Sequence, residues 1–204
     1  MDTDAAPKTT GRPRDPEVER GILVATQDLL IEVGYAGTTI AAVAARAQCG
    51  KSAIYRRWET KTDLVVAAVR ALHVTTDLPD TGDLRDDLIA VAMHFAQADE
   101  RSSQVLASLL SQLGRNPELR DIAYRTIGEP PVAALVAVIE RWIERGAVPR
   151  DVPVRVIAGI VPTAAFGSVS LRQRALEPAA VAELVDAVIL PALRAVPSPS
   201  PEKE

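Results

Sequence analysis

An all-α fold is what this sequence predicts: an N-terminal three-helix unit carrying a helix-turn-helix, followed by a C-terminal helical bundle. Three observations carry it. Apolar residues recur at spacings of three and four along almost the whole chain, which is the period of a helix with one buried face. No stretch alternates apolar and polar residues as a half-buried strand does. Gly34, the run Leu78-Pro79-Asp80-Thr81-Gly82 and Pro130-Pro131 fall between periodic stretches, where glycine and proline punctuate helices.

The bulk properties narrow the function. The 204 residues are 48% apolar and 25% charged, an ordinary globular balance with room for a sizeable core. Aromatic residues make up only 3%, so that core must be built from Ala, Val, Leu and Ile. The net charge of −4 argues against a protein that coats nucleic acid over its whole surface. Residues 1–64 nevertheless carry nine Lys/Arg against nine Asp/Glu, so the remainder holds all of the excess and the two parts face different partners. Cys49 is the single cysteine, and with only His73 and His94 beside it neither a disulfide framework nor a metal-ligand set is available. No nucleophile–base pair or phosphate-cradling glycine loop is present, so neither an enzyme nor a cofactor is expected. The N-terminus lacks a basic-then-apolar leader, and the apolar run Val156 to Phe166 is broken by Pro162. The expectation is a soluble cytoplasmic protein with no membrane partner.

The elements follow in order. Residues 1–14 read as a flexible arm and 197–204 as a disordered tail without apolar groups to offset ordering. Asp15 caps the first helix, Pro16 suits its first position, and Glu17 and Glu19 favour its positive end. Val18, Ile22, Ala25, Leu29 and Val33 form its inner face and Gly34 ends it. Thr39 caps a second helix, Ile40 to about Ala47. A third runs from about Gly50 to Trp58, and a fourth from Thr62 to about Thr76. Further helical patterns lie near 83–98, 101–113, 117–128, 132–145, 153–172 and 178–195. Pro130-Pro131 is expected to divide one long helix into two, and Pro162 and Pro191 to kink or interrupt theirs.

Thr39 to Trp58 has the layout of a helix-turn-helix. Ile40, Val43, Ala44 and Ala47 give the second helix a narrow inner face, and Cys49 and Ile54 pack the turn and the next helix back onto the first. On the third helix Ile54 and Trp58 share a face and anchor inward. Lys51 and Ser52 lie at the N-terminal end, the end that meets base edges in this kind of docking. From Lys51 to Lys61 there are four positive residues and one negative, Glu59. Arg12 and Arg14 in the arm suit an adjacent minor groove.

Gly34-Tyr35 followed by TTIAAVAARAQCGKSAIYRRWETKTDLV resembles the DNA-binding domain of the TetR family of bacterial regulators over about residues 15–70. Tyr55, Arg57, Trp58 and Lys61 stand at that family's tyrosine, basic, aromatic and lysine positions. The resemblance implies that Lys51, Ser52, Ala53, Tyr55 and Arg57 face double-stranded DNA, while Thr39 and Lys61 hold phosphates. Arg57 and Trp58 replace the family's usual His and Phe and keep their roles. Gln48 replaces the usual turn glycine, at a cost of roughly 1 kcal/mol if it adopts the left-handed conformation.

By the same resemblance the remainder is a ligand-binding and dimerisation bundle, giving units at 15–61 and 62–196. The last two helices suit a homodimer: Val181, Leu184, Val185 and Val188 form an apolar stripe beside the small residues Ala164 and Gly167. A twofold protein implies a palindromic operator and a repressor released by a small apolar or amphipathic effector. His94, Phe95, Tyr124, Trp142 and Phe166 are the conspicuous candidates for the effector pocket.

Overall fold

The computed structural model describes residues 16–72, 77–96 and 99–194. Among the described residues every regular element is helical: α1 (Pro16–Gly37), α2 (Ile40–Arg46), α3 (Lys51–Tyr55), α4 (Lys61–Arg70), α5 (Leu84–Ala96), α6 (Glu100–Leu113), α7 (Pro117–Ala123), α8 (Glu129–Glu144), α9 (Val154–Ala158), α10 (Ile160–Arg172), α11 (Pro178–Leu184) and α12 (Leu190–Arg194). Two single π turns, Tyr124–Gly128 and Val185–Ile189, join α7 to α8 and α11 to α12. The expected cap at Asp15, the arm with Arg12 and Arg14, the end of the fourth helix to Thr76 and the tail lie outside the described residues.

Local chemistry sets the boundaries. Gly34 takes φ 69° and ψ 179°, breaking α1 where glycine alone is unstrained. The Thr39 hydroxyl accepts from the Ala42 amide and starts α2. Thr60, not anticipated from the sequence, starts α4 with a capping box: its hydroxyl accepts from the Asp63 amide while the Asp63 carboxylate accepts from the Thr60 amide. Asp99 and Asn116 cap α6 and α7 in the same manner.

The prolines act differently from the expectation. Pro130-Pro131 does not divide its helix; residues 117–144 run on as one helical stretch. A proline in a helix lacks an N–H and its ring crowds the carbonyl four residues back. Four residues before Pro130 and Pro131 are Thr126 and Ile127, inside the π turn Tyr124–Gly128. Four before Pro191 is Ala187, inside the π turn Val185–Ile189. The wider turn moves the orphaned carbonyls aside and the helix continues. At Pro162 the counterpart is Ala158, where α9 ends and α10 begins after Gly159.

Three cores stack along the molecule. The first joins Ile22, Ala25 and Leu29 of α1 to Val43, Ala44, Ile54 and Leu64, with Trp58 packed against it. The second joins Leu30 of α1 and Val65, Val66 and Val69 of α4 to α6, α7 and Val169. The third fills the bundle of α5 and α8–α12 around Leu88, Leu135, Val138, Ile139 and Ile189. Contrary to the sequence expectation, the stretches 117–144 and 154–172 are long and apolar enough to cross a membrane. Here they supply walls of the second and third cores instead, through Ile127, Leu135, Ile139, Ile157, Val161 and Val169.

One buried charge ties the connection before α5 to the bundle. Asp87 is fully buried. It accepts from the Thr81 amide and hydroxyl at 2.7 Å each, the Trp142 indole N–H at 2.9 Å and Arg141 at 2.9 Å. Arg141 also donates to the Pro79 carbonyl. Burial alone would raise the Asp87 pKa, but the Thr81, Trp142 and Arg141 interactions outweigh it and hold the group below its usual value. A carboxyl whose pKa falls on folding contributes stability above its unfolded pKa and loses that contribution as pH drops through the folded value. Asp87→Asn, which strands a half-buried guanidinium, should therefore lower the unfolding free energy by roughly 3 kcal/mol at neutral pH. Urea titration checks this, and the difference from the parent should shrink as pH falls below the ordinary carboxylate range. A pH-independent difference would assign the loss to packing instead.

Candidate nucleic-acid interface and cavity

The turn between α2 and α3 is closed by the backbone. The Cys49 amide donates to the Ala44 carbonyl at 3.0 Å and the Gln48 amide to Ala45 at 3.3 Å. This is the hydrogen-bond pair of a Schellman motif, whose left-handed position is usually glycine. Gln48 holds it at φ 51°, as the sequence anticipated. Ile54, fully buried among α1 residues, holds the inner side of α3 with Trp58 packed beside it.

With the phase of α3 fixed, its outward side is Lys51, Ser52, Tyr55 and Arg56, all exposed, with Tyr55 at 56%. At about 100° per residue these positions, two adjacent pairs four apart, share one face. Ala53 and Arg57 share the opposite one, and two expectations are corrected there. Ala53 is only 9% exposed, so it presents little surface to a groove. The Arg57 side chain is only 7% exposed. It donates from Nε to Glu19 of α1 at 3.3 Å and from Nη1 to the Ala53 carbonyl at 3.1 Å, which binds α3 to α1. Arg56, which helical spacing sets on the side of Ser52 but which was not among the expected DNA contacts, is the exposed guanidinium at the end of this helix. The sign that identifies it is its place beside Tyr55 and four residues on from Ser52.

Lys61 is a third correction. Rather than extending outward, its ammonium donates to the Tyr35 carbonyl and lies 4.0 Å from the centre of the Tyr35 ring. Burial lowers its pKa. Tyr35 in turn shares a 3.1 Å hydrogen bond with Thr62, so the start of α4 is stapled to the last turn of α1. Thr39 is exposed, and the bond that caps α2 uses its oxygen as acceptor, leaving the hydroxyl proton to donate outward. Arg46 forms a bidentate pair with Glu32 at 2.9 and 2.7 Å, holding α2 on α1.

The head is joined to the bundle through α1 as well as α4. Gln27 is buried and donates to the Ala68 carbonyl at 2.8 Å. Asp28 pairs with Arg101 of α6 at 2.7 Å. Helix α6 continues into the wall of a cavity of about 850 Å³ enclosed by α4, α5, α6, the first π turn, α8 and α10. Its apolar lining includes Phe95, Leu106, Ile127, Leu135, Val161 and Phe166, and its polar lining includes Arg70, Asp77, His94, Ser102, Arg125 and Thr126. Of the five residues expected to line a pocket, His94, Phe95 and Phe166 line this cavity. Tyr124 and Trp142 do not: Tyr124 is 59% exposed and bonded to Glu129, and the Trp142 N–H serves Asp87. Arg70 and Arg125 were missed because an isolated arginine on a helix reads as a solvated charge.

The apolar stripe proposed for self-association is also only partly available. Val181 and Val185 are fully buried in the chain's own core. Ala164, Gly167 and Leu184 are half-buried and Val188 is exposed. They line one surface groove between α10 and α11 with Leu171, which is 85% exposed.

A helix-turn-helix with an exposed cationic face, set on a bundle that encloses a cavity, defines a DNA-binding regulator with a second site. Comparison with known proteins makes this specific. Residues 22–68 match the family described as bacterial regulatory proteins, tetR family, and residues 78–188 match the Tetracyclin repressor-like C-terminal domain. The DNA-binding transcriptional repressor TetR of Mycobacteroides abscessus is 30% identical over 176 residues, spanning 85% of this chain and 92% of that protein. The HTH-type transcriptional regulator Rv1556 of Mycobacterium tuberculosis is 29% identical over 194 residues, spanning 93% and 96%. Among solved structures, Salmonella enterica GusR superposes with a TM-score of 0.66 at 20% identity, covering 93% of this chain and all of that one. The flavonoid-responsive regulator FrrA does so with a TM-score of 0.64 at 19% identity, covering 88% and 97%. The chain belongs to the TetR family of bacterial transcriptional regulators, whose members bind DNA and act as dimers.

The strained turn is directly testable. Replacing Gln48 by glycine should stabilise the protein by about 1 kcal/mol, because glycine carries no steric penalty at positive φ. Thermal unfolding of the two proteins checks it; an unchanged or lowered midpoint would mean that the Gln48 side chain compensates the turn.

Proposed function

We propose that this protein is a homodimeric, effector-released repressor of transcription in the cytoplasm. In this reading 15–61 is the DNA-reading unit and 62–196 the effector-binding and dimerising unit. The observation that supports it best is the exposed set Lys51, Ser52, Tyr55 and Arg56 on a helix held from behind by Ile54 and Trp58. Such a face enters the major groove with its N-terminal residues at base edges. Lys51 and Ser52 take that position, Arg56 suits the bidentate pairing that arginine makes with guanine, and Tyr55 and Thr39 donate to phosphate oxygens.

Self-association is assigned to the α10–α11 groove. Leu171, Val188, Leu184 and the small residues Ala164 and Gly167 form a face whose twofold copy would produce a four-helix packing. Twofold symmetry pairs two α3 helices with two halves of a palindromic operator. The effector site is the cavity beside α4. A ligand that favours one setting of α4 and α6 shifts the population of the paired heads, and operator affinity changes by its differential affinity for the two settings.

Substitution separates the roles. Arg56→Ala or Tyr55→Ala should weaken operator binding at least tenfold with thermal stability unchanged, since a good base or phosphate contact is worth about 1–3 kcal/mol. Arg57→Ala should instead lower the melting temperature, because it removes a tie between α3 and α1. Mobility shifts on the DNA upstream of the protein's own gene, paired with thermal melts, read both effects. If Arg57→Ala lost operator binding at full stability while Arg56→Ala kept it, the assignment of the outward face would be reversed.

The dimer face has its own test. Leu171→Glu combined with Val188→Asp should give a folded monomer in sedimentation. A double variant that remains dimeric moves the interface elsewhere.

A further inference from the structure

The cavity has a charge pattern that the effector reading does not use. Its walls are apolar, but its rim carries two guanidiniums, Arg70 and Arg125, against one carboxylate, Asp77. Both arginines are exposed, and neither has a hydrogen bond or ion pair to any described residue. Arg46, Arg85, Arg101, Arg141, Arg145 and Arg155 each have a carboxylate within 3.0 Å; the two arginines that line this cavity do not.

The backbone places these two charges deliberately close to the apolar space. Arg125 and Thr126 lie in the π turn Tyr124–Gly128, which exists because of the prolines that follow. Single π turns recur at ligand sites because they displace the register of side chains. Arg70 ends α4, the helix that starts in the head core, and α4 packs directly on that π turn. Phe95, Leu106, Ile127 and Phe166 line the interior beyond the rim.

From this we propose that the effector is an amphipathic organic anion. Its apolar body fills the cavity, and its carboxylate or comparable anionic head is held at the rim between Arg70 and Arg125. The assignment rests on the reading of this cavity as the effector site. Guanidiniums pair with planar carboxylates through parallel hydrogen bonds. An anion that contacts both would fasten the end of α4 to the π turn on which it packs. The ligand's head group is therefore placed at the point where the DNA-reading head is joined to the bundle.

Four ten-carbon probes of different head group test this on the full-length protein: decanoate, decanol, methyl decanoate and decyltrimethylammonium, each titrated by calorimetry at fixed low ionic strength. Decanoate should bind about tenfold more tightly than decanol, the worth of two partly exposed charge-assisted contacts. Arg70→Gln and Arg125→Gln should each remove most of that preference while leaving the affinity for decanol within about twofold. Both positions are exposed, so the variants should melt with the parent, and circular dichroism confirms that they fold. Equal binding of decanoate and decanol would overturn the anionic assignment while the cavity reading stands, as would tightest binding of decyltrimethylammonium. Binding of none of the four would sink the cavity reading itself, and the proposal with it.

Discussion

Helix α4 belongs to two cores at once, and the rest of the molecule is arranged around that constraint. Leu64 is fully buried against α1, α2 and α3, while Val65, Val66 and Val69 are buried against α6 and α7. Neither core is complete without it. Ten residues of helix span only about 15 Å, so the head core and the cavity-lining Arg70 are joined by one short element. Nor is α4 alone in this: Gln27 holds it to α1 through the Ala68 carbonyl, and Asp28 holds α1 to α6 through Arg101. Any rearrangement of the α6 wall is felt by α1 and α4 together, which is the physical content of coupling between the sites.

The general plan was legible in the sequence because it depends on period and punctuation. Gly34, Thr39 and the left-handed Gln48 each do locally what their chemistry dictates. The flanks of α3 were not legible. With Ile54 and Trp58 turned inward, Arg56 lies two residues from each and faces out, but either 53 and 57 or 51 and 55 can fall toward the buried side. Small Ala53 offers no preference, and arginine is ordinarily exposed. The decision is made by Glu19, one full helix away in sequence, which receives Arg57. That partner is a tertiary fact, invisible to any reading of spacing along residues 49–58.

The apolar stripe of α11 is only partly open for a related reason. Val181 and Val185 recur at helical spacing, but the pattern of one helix cannot say whether its apolar face is covered by its own chain or by another copy. Here α5 lies on that face. What remains for a partner is the flank made of Leu184 and Val188, with Leu171 of α10 opposite. The prolines present the same limit. Proline predicts that a carbonyl four residues back loses its donor; whether the helix breaks or widens depends on what packs there. At Pro162 the helix is interrupted at one residue, Gly159, whereas at Pro131 and Pro191 a π turn absorbs the loss. The first of those π turns places Arg125 and Thr126 on the cavity, so a backbone accommodation became part of a site.

Charge ties these threads together. An acidic chain that must approach DNA faces long-range repulsion, and it meets this by local pairing rather than by net charge. Acidic groups near the head are occupied: Glu32 and Asp28 by Arg46 and Arg101, and Glu19 by Arg57. The arginine left outward on α3 is Arg56, and the carboxylate nearest to it in sequence is Glu59, at the end of the same exposed stretch. Screening over about 8–10 Å at physiological salt then separates the recognition face from the acidic bundle. Arg70, at the other end of α4, is subject to the same logic with a different outcome: its unpaired charge faces an apolar cavity instead of a polyanion. Leu64 and Val69 of α4 pack in separate cores, so the head and the wall of the cavity are kept in mechanical contact by one helix.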